Sequence, residues 1–186
     1  MRGAARLGLC GCLLGVILAT PGWAVTRAIV AAGLGGNPDY EAEFQRHANR
    51  LADGLETVSS DVTLLVGDTA DTAAVRSALE SLGSRMTSGD TLLFVYVGHG
   101  AWDGEQFKFN VPGRDFTATD LTGWLDAAGG KHQVVVATGA SSGALQELLA
   151  ADHRTVITAT RSGEQRNATV FGRFFTAALG DEAADL

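Results

Sequence analysis

Beyond its twelfth residue the chain has no cysteine. Cys10 and Cys12 are the only two in 186 residues. Any form that has shed its N-terminal segment can therefore build neither a disulfide nor a thiolate centre. Proline is nearly absent too, at Pro21, Pro38 and Pro112, which excludes proline-rich spacers. Basic runs are missing: 14 Lys and Arg face 21 Asp and Glu, for a net charge of −7. That balance argues against nucleic acid or an anionic membrane surface as partner. After residue 19 no apolar run is long enough to span a bilayer. The four histidines show no metal-ligand spacing, so neither a metal nor another cofactor is expected.

The N-terminus has the form of a secretory signal. Arg2 and Arg6 precede an apolar run over residues 7–19, and Pro21-Gly22-Trp23-Ala24 places small residues at −3 and −1 of a cut after Ala24. Retention as an anchor and a lipoprotein signal at Cys12 are the weaker alternatives. Export to the periplasm or the extracellular space is the expectation. Removing the first 24 of 186 residues leaves 162, enough for one domain with a core, and losing Arg2 and Arg6 moves the charge from −7 to −9. In an oxidising compartment this domain must hold by packing alone.

Residues 25–186 alternate β-rich apolar runs with helical patterns. Strands are predicted at 27–32, 61–66, 91–97, 133–137 and 155–160. Helices are predicted at 39–56, 71–86, from Thr117 onward, 142–151 and 169–179. Residues 107–111 read as a short excursion. Thr117 is placed as an N-cap with Asp120 at N3. The alternation predicts an α/β three-layer sandwich, with a mostly parallel central sheet and helices on both faces. The chain stops at the acidic run 180–186, which reads as a frayed tail or a truncation. In such a sheet, sites lie at the carboxyl ends of strands. That rule selects residues 33–38, 98–103, 138–143 and 161–166.

Gly98-His99-Gly100 follows the most apolar strand. An imidazole there can act as acid or base near neutral pH. The flanking glycines permit a sharp turn and a close substrate approach. Gly139-Ala140-Ser141-Ser142-Gly143 sits between a strand and a helix, where N-terminal amides favour an anion. Ser141 fits Gly-x-Ser-x-Gly, yet its acid and histidine would have to come later in the chain, and His99 comes earlier. Ser142 reads as a helix N-cap. Gly33-Leu34-Gly35-Gly36-Asn37-Pro38 fails the dinucleotide fingerprint at Pro38 and reads as a mobile loop. Asn167-Ala168-Thr169 matches a glycosylation triplet, a pattern that often arises by chance.

Taken together, residues 26–180 resemble the caspase/legumain-like (clan CD) cysteine peptidases. The strand and histidine over Asp90-Thr91-Leu92-Leu93-Phe94-Val95-Tyr96-Val97-Gly98-His99-Gly100 are the most specific piece. Secreted bacterial legumain-like relatives also share a Gly-Gly-x-Pro start, as in Gly35-Gly36-Asn37-Pro38. Family members follow a later strand with a pattern like Asp-x-Cys-x-Ser-Gly. Here Thr138-Gly139-Ala140-Ser141-Ser142-Gly143 keeps the Ser-Gly, with Thr138 for the aspartate and Ala140 for the cysteine. The resemblance implies a caspase-like fold with His99 at the catalytic histidine position. Gly98, Gly100, Thr138, Gly139 and Arg161 would surround the cleft with the 33–38 loop. A methyl group at Ala140 cannot attack a carbonyl, so the covalent route is lost. The expectation is a pseudopeptidase that binds a peptide or protein ligand. The alternatives are a hydrolase using Ser141 with His99 as base, and a purely structural interaction domain.

Overall fold

The computed structural model describes residues 24–59, 61–129 and 132–180. The signal expected over residues 1–24 therefore lies outside the described residues, except for Ala24. Five parallel strands form the central sheet in the order β2-β1-β3-β7-β8. They are β1 (Thr26–Ala32), β2 (Asp61–Leu65), β3 (Thr91–Val97), β7 (His132–Ala137) and β8 (Arg154–Thr158). The register pairs Ala31 with Tyr96 and Tyr96 with Ala137, so the carboxyl ends of β1, β3 and β7 finish level.

Alternation along each strand assigns the two faces. Ala28, Val30, Val95 and Val136 pack with Ala48, Leu51 and Leu55 of α1 (Pro38–Glu56), and with Phe171 and Phe175 of α5 (Phe171–Gly180). Ile29, Ala31, Phe94, Tyr96 and Val135 face the other way. They meet Val75 and Leu79 of α2 (Thr72–Gly83), Leu121 and Leu125 of α3 (Ala118–Ala128), and Leu145 of α4 (Leu145–Leu148). These are the three layers expected, and the sheet is wholly parallel. Strands β1 and β3 read as near-continuous apolar runs because both their faces are covered. Among the described residues no helix is long and apolar enough to cross a membrane.

Local chemistry sets the ends of the helices. The Asn37 side chain accepts from the amides of Asp39 and Tyr40 at 3.0 Å, with Pro38 opening α1. Thr117 and Asp120 form a reciprocal capping box at the start of α3, at 3.1 and 2.9 Å.

Several expectations need correction. The excursion at 107–111 contains the middle strand, Phe107–Phe109, of a second, antiparallel sheet: β4 (Gly100–Trp102), β5 (Phe107–Phe109) and β6 (Phe116–Thr117). Its strands of two or three residues are too short for periodicity to reveal. The helix expected over 142–151 is a 3-10 turn at Ser142–Ala144 followed by the four residues of α4. The 33–38 loop is tied rather than free. Gly33 N–H donates to Val97 O at 2.9 Å, Leu34 N–H to Asn110 O at 2.8 Å, and Gly35 N–H to Glu41 Oε2 at 2.8 Å.

An ionic cluster closes the opposite end of the sheet. The Asp90 carboxylate accepts from the amides of Val25 (3.0 Å) and Thr87 (2.9 Å) and from Arg27 Nε (3.3 Å). Arg27 also reaches Asp61, which Arg85 meets at 3.1 Å. The backbone amides of Thr87 and Val25 chiefly hold the Asp90 carboxyl down to about 2, against an ordinary 3.8. A depressed carboxyl stabilises the fold above its unfolded pKa and loses that contribution as pH falls through the folded value. Stability is thus expected to decline from about pH 4 towards pH 2 through this group. Urea midpoints measured along that range check it. A curve for Asp90→Asn as steep as that of the wild type would refute the assignment.

Candidate functional site

Three glycines let the carboxyl ends of β1, β3 and β7 converge on Tyr96. A Cβ on Gly33 would lie 2.1 Å from Tyr96 Oη, and one on Gly98 would lie 2.8 Å from the same atom. A Cβ on Gly139 would lie 2.1 Å from Gly98 O. The Tyr96 hydroxyl, fully buried, is directed at the carbonyls of Asn110 (2.8 Å) and His99 (2.9 Å). Burial, chiefly, raises its pKa well above the ordinary value. The Asn110 amide also donates to His99 O at 3.2 Å. The backbone of His99 is thus held from two sides.

The His99 ring is held as well. Tyr40 and Phe44, one turn apart on α1, meet it edge-on with ring centroids 5.0 and 4.9 Å away. Thr138, Gly139 and Ala140, at the end of the adjacent β7, line the same small cavity. Glu43 and His47 of α1 and Thr169, Gly172 and Arg173 of the C-terminal segment complete its wall. The open space is about 40 Å³, room for roughly three water molecules. Segment 168–173 forms one wall by direct contact with the end of β7. The Thr169 hydroxyl donates to Thr138 O at 2.5 Å, and a Cβ on Gly172 would lie 3.3 Å from Thr138 Oγ1.

His47 links the two covering helices. His47 Nδ1 and the Thr176 hydroxyl share a hydrogen bond at 3.0 Å, and Thr176 Oγ1 also lies 2.7 Å from Gly172 O. Nε2 then faces Glu43 at 3.6 Å. Burial, the largest influence, lowers the pKa of His47.

The structure thus brings together His99, Gly98, Thr138, Gly139 and Ala140. It does not bring in Ser141, Arg161 or the 33–38 loop. Ser141 does not line the cavity, and among the described residues no hydrogen bond joins it to His99. Its backbone is left-handed, φ 57°, the one non-glycine residue so placed among those described, and its N–H donates to Gln165 O at 2.8 Å. Ser142 is not a helix cap. Fully buried, its hydroxyl oxygen accepts from the amides of Ala159 (3.0 Å) and Thr160 (3.3 Å), pinning the end of β8. Arg161 borders two other surface hollows. The glycines flanking His99 serve packing: Gly98 rests on Tyr96, and a Cβ on Gly100 would lie 2.1 Å from the Phe107 ring.

Tyr40, Glu43, Phe44, His47, Thr169, Gly172 and Arg173 escaped the site reading. Tyr40 and Phe44 carried a signal, their helical spacing, but that spacing describes a core face equally well. Among the described residues no three His, Cys, Asp or Glu side chains converge as a metal site would require.

A small, partly open histidine cavity at the carboxyl ends of two adjacent parallel strands, within a three-layer α/β sandwich, is the class of architecture these features define. No family model matches the chain, and no curated protein matches it. Among solved structures it is similar to a Geobacter sulfurreducens protein determined as a structural-genomics target, with 18% identity and a TM-score of 0.50. The match covers 62% of this chain and 50% of that one, so the chain matches about half the length of that structure. At this identity the similarity concerns the fold alone.

Proposed function

We propose that this chain is an exported protein of caspase/legumain-like peptidase fold that lacks peptidase activity and binds a peptide or protein through the residual cleft. One observation carries the reading: Ala140 shares a cavity with His99 at the ends of β7 and β3. In that arrangement a methyl group stands where the resembled family carries its thiol, so that covalent route is lost. The aromatic clamp of Tyr40 and Phe44 keeps the imidazole presented to whatever enters. The space suits a small side chain or a chain terminus better than a run of residues.

The test is a thermal-stability scan of the full chain against a pool of short peptides, with His99→Ala alongside. Stabilisation by some pool members, lost in His99→Ala, is expected. Cleavage of any pool member would overturn the proposal and direct attention to Ser141, through labelling by a serine-directed phosphonate that Ser141→Ala abolishes. A flat response in both proteins would favour a purely structural role.

A further inference from the structure

A wide, shallow hollow lies beside the His99 cavity and shares with it the wall at residues 168–169. It runs between the loop that follows β8 and the outward face of α5, with an open volume of about 1010 Å³. Its chemistry is unusual for this protein. Val170 and Phe174, one helical turn apart, stand 67% and 60% exposed, while Phe175 packs inward and the partly buried Phe171 both packs inward and lines the hollow. Three arginines surround this apolar pair. Arg161 and Arg166 line the hollow, and the Arg173 guanidinium lies over the Phe174 ring at 5.3 Å from its centroid. One carboxylate opposes them, Glu164, paired with Arg166 at 3.5 Å. Both members of that pair are exposed, so it is weak and open to exchange. Arg161 makes no ion pair among the described residues. A chain of net charge −7 thus gathers three cations around two exposed apolar side chains.

We propose that this groove is a docking site for an acidic peptide segment carrying an aromatic side chain. The aromatic group packs against Val170 and Phe174, and flanking carboxylates take the forks of Arg161 and Arg166. Arginine suits this task because its planar fork matches a carboxylate while its face still covers an aromatic ring. Two exposed apolar side chains with arginines beside them match such a segment in charge and in apolar contact. The groove and the His99 cavity share the wall at Ala168 and Thr169, and Arg173, which lines the cavity, reaches the groove only through its contact with Phe174.

Fluorescence anisotropy on the full chain tests this, using labelled peptides with a central Phe flanked by Glu, and the same peptides with Lys for Glu. The Glu peptide is expected to bind saturably, more weakly as salt rises. Phe174→Ala and Arg166→Glu, both at exposed positions, are each expected to weaken it about tenfold, while His99→Ala leaves it unchanged. Equal binding of the Lys peptide, indifference to both groove variants, or no binding at all would overturn the proposal. So would binding to phosphatidylserine vesicles without binding to the peptide. Loss of binding in His99→Ala alone would locate the peptide in the cavity instead, supporting the function proposed above and not this groove.

Discussion

Replacing Gly139 by alanine is expected to destabilise the protein by about 3 kcal/mol, among the larger single-residue effects available to it. The new Cβ would stand 2.1 Å from Gly98 O, where real contacts essentially never fall below 3.0 Å. Relief requires the ends of β3 and β7 to separate by roughly 1 Å, and neither strand can yield alone. Both are central in the sheet, and Thr138 N–H donates to Tyr96 O at 3.1 Å just before the contact. In a domain of this size the melting temperature should fall by about 6–12 °C. Gly123→Ala is the control. That glycine lies within α3 with nothing inside 4 Å, so alanine there should be neutral or stabilising. A Gly139→Ala protein as stable as the wild type would show that the strand ends are not in contact. The placement of His99 and Ala140 on one cavity would then fail with it.

The second large effect is expected at Arg154, the first residue of β8. Its side chain is fully buried, yet all its partners are defined. Nε donates to Gln133 Oε1 at 2.8 Å, one terminal nitrogen to Leu149 O at 3.0 Å, and the other to Asp126 Oδ1 at 2.6 Å. Gln133 in turn donates to the carbonyls of Leu125 and Gly129, both at 2.7 Å. One guanidinium therefore joins β7, β8, α3 and the end of α4. Arg154→Ala leaves Gln133 Oε1 and Leu149 O without their donor and opens a cavity. A loss of about 3–5 kcal/mol is expected. Arg154→Lys keeps a charge but has no planar fork to serve three acceptors, so it should recover part of that loss. Urea unfolding of the two variants measures both. A loss below about 1 kcal/mol for alanine would mean that the network contributes little. Asp126 is half-exposed, so its own removal should cost far less than that of Arg154.

Neither residue announces its importance in the sequence. Arg154 stands beside His153 at the margin of a predicted strand, where a cation ordinarily faces solvent. Nothing local distinguishes it from Arg161, which does face solvent. Gly139 reads as one glycine of a serine-rich turn, and its need for a bare Cα arises from Gly98, 41 positions earlier. Ser142 is instructive in the same way. A serine before a helical run has a strong claim to be an N-cap. Here the hydroxyl is claimed by two amides beyond β8, because the loop there folds over it.

The sequence by itself determined the five strands of the main sheet, their order of alternation with helices, the cap at Thr117, and the strand end that carries His99. These follow from short-range physics. A pleated strand repeats every two residues and a helix every 3.6, and a cap needs a side-chain oxygen within three residues of the amides it serves. The tertiary structure alone decided which distant groups meet. It set Tyr40 and Phe44 against His99, brought α5 over Thr138, kept Arg161 and Ser141 out of the cavity, and turned Phe174 outward beside three arginines. Such meetings depend on sheet register and on the placement of helices across the sheet. Both are set by the packing of the whole core, and no local window of the chain records them.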